Sequence, residues 1–217
     1  MAKKAGTITS DQKMEILRLE TEPFGTNAYM VFCRESGQSV LIDAPGNAEL
    51  ITEHLKESSP QFILITHGHM DHVTVLEDLY RKLGASLAAH QAEAGQLPVK
   101  PDRLLEDGAS IKCGKLSLEV IHAPGHTPGS ICFRLGNYLL SGDTIFPGGP
   151  GKTASPEKFK QIVKSIEEKI MALPDQTVIL PGHGDPTDLK TERELFNAFR
   201  SRQTGDQLDG DVTWTNS

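Results

Sequence analysis

The chemistry of this chain concentrates in Thr66-His67-Gly68-His69-Met70-Asp71-His72, where three imidazoles and one carboxylate fall within six residues. Imidazole nitrogen and carboxylate oxygen are ligands that zinc accepts at about 2.0–2.2 Å. Side chains alternate along an extended segment, so His67 and His69 point the same way. Asp71 and His72 fall where the chain bends into a helix, so they face a second, neighbouring point. One short segment can therefore feed two adjacent metal ions, and Gly68 lets the backbone come close with no side chain in the way. Three further ligand-type residues follow strand-like runs and sit beside glycine. They are His126 in Pro124-Gly125-His126-Thr127-Pro128-Gly129-Ser130, Asp143 in Ser141-Gly142-Asp143-Thr144, and His183 in Pro181-Gly182-His183-Gly184-Asp185. Gly-His and Gly-Asp are common turn dipeptides. Their recurrence at strand ends, after the first cluster, is what carries weight.

In this order, His-x-His-x-Asp-His, Gly-His-Thr, Gly-Asp-Thr and Pro-Gly-His resemble the metallo-β-lactamase-fold hydrolases over about residues 14–200. Within them the chain is similar to single-domain glyoxalase II-like enzymes, on Thr66-His67, Gly125-His126-Thr127 and Gly142-Asp143-Thr144-Ile145-Phe146. The resemblance implies an α+β fold, an αββα sandwich of two mixed β-sheets flanked by helices, with the site at one edge between the sheets. It implies that His67, His69 and His126 hold one metal ion, that Asp71, His72 and His183 hold the other, and that Asp143 bridges both. Some related enzymes hold a single iron with two histidines and one aspartate, which would leave Asp71, His72 and His183 partly idle. The full set favours two divalent ions, zinc first, with iron or manganese as other occupants.

Two divalent ions about 3.5–4 Å apart lower the pKa of a bridging water and polarise the oxygen of an incoming carbonyl or phosphoryl group. Asp71 is the expected catalytic residue, accepting a hydrogen bond from the bridging hydroxide and orienting it. The expected function is metal-dependent hydrolysis of a thioester, of the hydroxyacylglutathione hydrolase type. A lactonase, or a broad ester or phosphoester hydrolase using the same binuclear site, is the alternative. A mononuclear iron, sulfur-dioxygenase-like protein is the alternative from another class. Larger glyoxalase II enzymes carry a C-terminal helical domain with basic residues for glutathione; the stretch after His183 leaves room for one helix, so glutathione recognition stays open. The bridging Asp143 argues against β-lactam hydrolysis.

The balance of 22 basic and 29 acidic residues gives a net charge of −7. That disfavours a nucleic-acid partner, because phosphate binding rests on clustered cations. No apolar run is long enough to cross a membrane, and no secretory leader is visible behind Lys3-Lys4. Three widely spaced cysteines, Cys33, Cys113 and Cys132, suit reduced thiols in a cytoplasm. The expected partner is a small-molecule substrate, and the expected state a monomer or homodimer.

Residues 1–203 read as one domain, and 204–217 as a polar, loose tail. Strands are expected over 14–20, 28–34, 39–43, 62–65, 86–90, 131–135, 138–141 and 177–180, with more between 104 and 122, broken at Asp107-Gly108 and Gly114. Gly136-Asn137 signals a hairpin. Helices are expected over 47–57, through Leu76, Leu79, Tyr80 and Leu83 with Gly84 as the stop, from Ser155-Pro156-Glu157, and after a Thr191/Glu194 capping box. Gly148-Gly149-Pro150-Gly151-Lys152-Thr153 looks like a phosphate loop but has Phe146 where glycine is needed. It reads instead as a flexible rim from Phe146 to Ala154, with Lys152 available for an anionic part of the substrate. Thr127, Ser130 and Thr144 are candidates to orient the ligands. Met70 either packs or faces the substrate. His54, His90 and His122 lack the glycine context and read as structural.

Overall fold

The computed structural model describes residues 4–202 and 208–215. Apolar and β-branched runs form its strands, and glycine, proline and asparagine separate them. The first sheet sets seven strands side by side in chain order: β1 (Lys4–Ser10), β2 (Met14–Thr21), β3 (Thr26–Cys33), β4 (Gln38–Ile42), β5 (Ser59–Leu64), β6 (Ser86–His90) and β7 (Arg103–Leu105). Pairing is antiparallel from β1 to β4 and parallel from β4 to β7. The parallel connections carry α1 (Ala48–Leu55), the single turn α2 (Met70–Val73) and α3 (Leu76–Leu83).

The second sheet begins with β8 (Ser110–Cys113), β9 (Leu116–His122), β10 (Ile131–Leu135) and β11 (Tyr138–Gly142), all antiparallel neighbours. A short hairpin of β12 (Ile145–Phe146) and β13 (Gly149–Pro150) follows, then α4 (Pro156–Ser165). β14 (Val178–Pro181) joins β11 in parallel, β15 (Thr187–Asp188) closes that edge, and α5 (Leu189–Ser201) follows.

Strand alternation explains the layers. On β3, Tyr29 and Val31 face one way, into a core shared with Phe133, Val120 and Leu180 of the second sheet. Ala28 and Met30 face the other way, onto Ile51 and Leu55 of α1 and Leu76 and Leu79 of α3. The outer face of the second sheet, with Cys132, Leu139 and Ile179, is covered by Phe159, Ile162 and Val163 of α4 and Phe196 and Phe199 of α5. Strands buried on both faces read as continuous apolar runs. The result is the expected αββα sandwich.

Local signals act largely as expected. Asn47 and Ser155 cap α1 and α4 with their side chains, and Gly84 ends α3 at φ 61°. The Gly136-Asn137 turn pairs Leu135 with Tyr138. Two expectations are corrected. The cap of α5 is Asp188, whose carboxylate accepts from the Thr191 amide at 2.9 Å, so Thr191 lies inside the helix rather than at its cap. The tail expected to be loose is packed over part of its length: Trp214 is fully buried, its ring 5.3 Å from that of Phe196 and 5.1 Å from that of Phe199. The rest of that tail lies outside the described residues.

What matters for function is an edge. Each sheet contains a parallel pair, β4 with β5 and β11 with β14. Parallel strands end on the same side, so each pair delivers its outgoing loops to one place.

Candidate metal centre

Three strand ends and one loop build the cluster. His67, His69, Asp71 and His72 follow β5, Asp143 follows β11, His183 follows β14, and His126 sits in the loop between β9 and β10. All seven meet at one edge between the sheets. The His126 Nε2 lies 3.2 Å from the His67 Nε2 and 2.9 Å from the His69 Nδ1, and the latter two are 3.1 Å apart. Beside this trio, the His183 Nε2 is 3.3 Å from the His72 Nε2 and 3.1 Å from the Asp71 Oδ2. Asp143 stands between: Oδ1 is 3.3 Å from His72, while Oδ2 is 3.5 Å from His126, 3.7 Å from His183 and 4.0 Å from His67.

The outward hydrogen bonds fix what the inward nitrogens are. His126 Nδ1 donates to the Lys152 carbonyl at 2.7 Å, His183 Nδ1 to the Phe24 carbonyl at 3.2 Å, and His72 Nδ1 to Asp43 Oδ2 at 2.8 Å. The Thr66 hydroxyl donates to Asp43, so its oxygen is free to accept from His67 Nδ1 at 3.1 Å. A neutral imidazole with its proton on Nδ1 carries a lone pair on Nε2. With the outer nitrogens so engaged, four inward Nε2 atoms, with two carboxylates, converge on a small volume. That donor set is stable only around cations or protons.

The dimensions fit divalent ions. Nitrogens about 2.0–2.1 Å from a tetrahedral ion stand roughly 3.3 Å apart, close to the spacing of both groups. Asp143 Oδ1 is buried, with the His72 Nε2 beside it at 3.3 Å. A methyl at Gly182 would overlap that same oxygen and the His72 ring. The glycine keeps clear the space that the ligands share. The histidine–aspartate cluster is thus able to bind metal.

Electrostatics follow from burial and crowding. Burial, then the like charge of His72, holds His67 well below the ordinary imidazole range against the pull of Asp143. Burial also lowers His126, again against Asp143. For His72 burial works in the same direction, but the charge of Asp43 and hydrogen bonds to Asp143 and Asp43 outweigh it and push it up to about 10. Burial opposes ionisation of Asp71 and Asp143. Hydrogen bonds from His183 and His72 respectively, with the surrounding imidazoles, overcome it and hold both well below the usual carboxylate range.

Asp43 enters the sequence expectations only as the end of a strand, yet it is central to the site. It follows β4 at φ 61°, is buried, and accepts from the Thr66 amide, the Thr66 hydroxyl and His72. The apolar run Val40-Leu41-Ile42 before it has the same outline as Ile63-Leu64-Ile65 before His67. Thr26 at the start of β3 donates to Asp71 Oδ2 at 3.0 Å. The other candidates fall elsewhere. Thr127 and Ser130 bond each other and close their own turn, and Thr144 meets Cys132. Lys152 meets the cluster with its backbone, while its ammonium lies 3.6 Å from Asp211 of the C-terminal segment. Met70 is 76% exposed, so it does not pack. His90 and His122 stack on each other at 4.0 Å and belong to neither donor group.

Among the described residues, no helix is long and apolar enough to cross a membrane. Comparison with known proteins agrees with the site. The pattern of the metallo-beta-lactamase superfamily matches residues 21–183. The chain is 31% identical to "Probable metallo-hydrolase YqgX" of Bacillus subtilis (strain 168), covering 86% of this chain and 99% of that one. It is 29% identical to "Hydroxyacylglutathione hydrolase GloC" of Haemophilus influenzae, covering 83% and 95%. Among solved structures it resembles BLEG-1 B3 metallo-beta-lactamase (TM-score 0.76, 27% identity, 82% of this chain and 95% of that one). It also resembles TTHA1623 in a di-iron-bound form (TM-score 0.70, 30% identity, 81% and 96%). With that fold, that cluster and a match over most of its length, the chain belongs to the metallo-beta-lactamase superfamily.

Proposed function

We propose that the chain is a binuclear metallohydrolase acting on small-molecule thioesters. The observation that carries this reading is the convergence of two donor groups on Asp143: His67, His69 and His126 on one side, and Asp71, His72 and His183 on the other. These seven residues are the proposed ligands, with zinc the first candidate and iron the second. When bound, such a pair of ions activates water near neutral pH and polarises a carbonyl oxygen. As a metal ligand Asp71 is ionised, with Thr26 and His183 fixing its orientation. It is the proposed catalytic residue, accepting a hydrogen bond from the attacking water and aiming it at the carbonyl.

The choice of a thioester rests on the leaving group. As metal ligands both carboxyls of the cluster are deprotonated, so neither is a general acid. A thiolate, with a parent thiol pKa of about 8.5, departs without one, whereas an alkoxide needs a proton. The similarity to a hydroxyacylglutathione hydrolase supports the same class. Similarity to a B3 metallo-beta-lactamase supports ring-opening hydrolysis as a second reading. The test is a panel of acyl-glutathione, a second thioester, the matched oxygen ester, a lactone and a β-lactam, run on metal-quantified protein. The expected result is a thioester kcat/KM about tenfold or more above that of the matched oxygen ester. Equal rates on the two would remove the thioester assignment.

A further inference from the structure

Glu93 lies in the run of turns after β6, outside the ligand set, and is 1% exposed. Burying a carboxyl is costly unless its oxygens are hydrogen-bonded. Here each oxygen has one partner, and the two partners belong to different loops. Oε2 accepts from the Gly68 amide at 2.8 Å, between His67 and His69. Oε1 accepts from the Gly129 amide at 2.7 Å, three residues beyond His126. Both partners are glycines for a steric reason. A Cβ at Gly68 would stand 2.9 Å from Glu93 Oε2, and one at Gly129 would stand 2.6 Å from Oε1 and Cγ. The turn holding Glu93 is itself anchored by its amide bond to the His90 carbonyl at 3.0 Å, at the end of β6.

We propose that Glu93 is a positioning residue that clamps the His67–His69 loop to the His126 loop, and so sets the affinity of the ion site those three imidazoles form. The proposal rests on the reading of the cluster as a metal centre. The spacing of His67, His69 and His126 depends on two chain segments far apart in sequence. Among the described residues, Glu93 is the side chain bonded to the backbone of both. The other donor group, Asp71, His72 and His183, is held through Asp43, Thr26 and the Phe24 carbonyl, contacts that do not pass through Glu93. A fault in the clamp should therefore be felt on one ion and not on the other.

The test uses full-length protein freed of metal by a chelator and titrated with zinc in a calorimeter, with the melting temperature of the metal-free protein recorded alongside. The variants are Glu93→Gln, which keeps one good acceptor, Glu93→Ala, which keeps none, and Gly129→Ala, which displaces the clamp without touching its charge. The expected result is a loss of about 10–100-fold at one of two zinc sites, graded Gln before Ala, with Gly129→Ala following the same pattern. In a His183→Ala background, the surviving site should be the one that weakens. Parental affinity at both sites in all three variants, however far the melting temperature falls, would make Glu93 a strut for the fold and overturn the proposal. Equal weakening of both sites would also overturn it. If the parent takes up no zinc, the metal-centre reading falls, and this inference with it.

Discussion

At the scale of single residues, the account rests on where protons sit. Asp43, Thr66 and the carbonyls of Lys152 and Phe24 take up the outer nitrogens of four imidazoles. This turns the inner nitrogens toward the cluster, where a cation or a proton must meet them. Replacing His67 with alanine should cost one of the two ions, and replacing the shared Asp143 should abolish metal uptake; both should abolish turnover while the protein stays folded, checked by elemental analysis and circular dichroism. Asp43→Ala removes three acceptor contacts but no ligand. It should weaken zinc binding by about 10–100-fold, measured by titration of the metal-free protein, and parental affinity would contradict it. The seven positions that meet at the edge were legible because ligand-type residues recur beside glycine after apolar runs. Asp43 was not, because an aspartate at a strand end has many uses and its left-handed backbone leaves no mark in sequence. Thr127, Ser130 and Thr144 show the converse: nearness to a ligand along the chain does not say which group its hydroxyl will meet.

At the scale of elements, strands and helices were legible wherever period and stop signals agreed, as in β5, α3 and the β10–β11 hairpin. The start of α5 was not. Thr191 and Glu194 offer a capping pattern, yet Asp188 takes the role because β15 ends there and its carboxylate reaches the Thr191 amide and hydroxyl. Asp188→Ala should cost about 1 kcal/mol of stability, read from denaturant unfolding of the metal-loaded protein. The Thr191 amide, then its hydroxyl, lowers the Asp188 carboxyl below its unfolded value of 3.8. The stability from that shift is therefore complete above the unfolded value and is lost as pH falls through the folded one. Asp188→Asn keeps the cap without the titration. Its stability should vary less with pH below about 4 than the parent's, and equal slopes would show that the cap does not titrate.

At the scale of the whole molecule, two sheets carry the ligands and a distant segment helps to hold them. The C-terminal stretch pairs Gly210 with Thr153, directly after Lys152, and the Trp214 amide donates to the Gly148 carbonyl at 2.7 Å. That long-range packing was invisible in a polar tail with one aromatic. Trp214→Ala should destabilise the protein by about 3–5 kcal/mol, and a change under about 1 kcal/mol would show that the segment is not part of the core. Ions bound only by the folded state should raise the melting temperature as zinc is added and lower it with a chelator. The most direct test is the ratio of metal to chain, by elemental analysis of the parent and His183→Ala. The account predicts two ions per chain in the parent and about one in the variant. One ion per chain in both would contradict it.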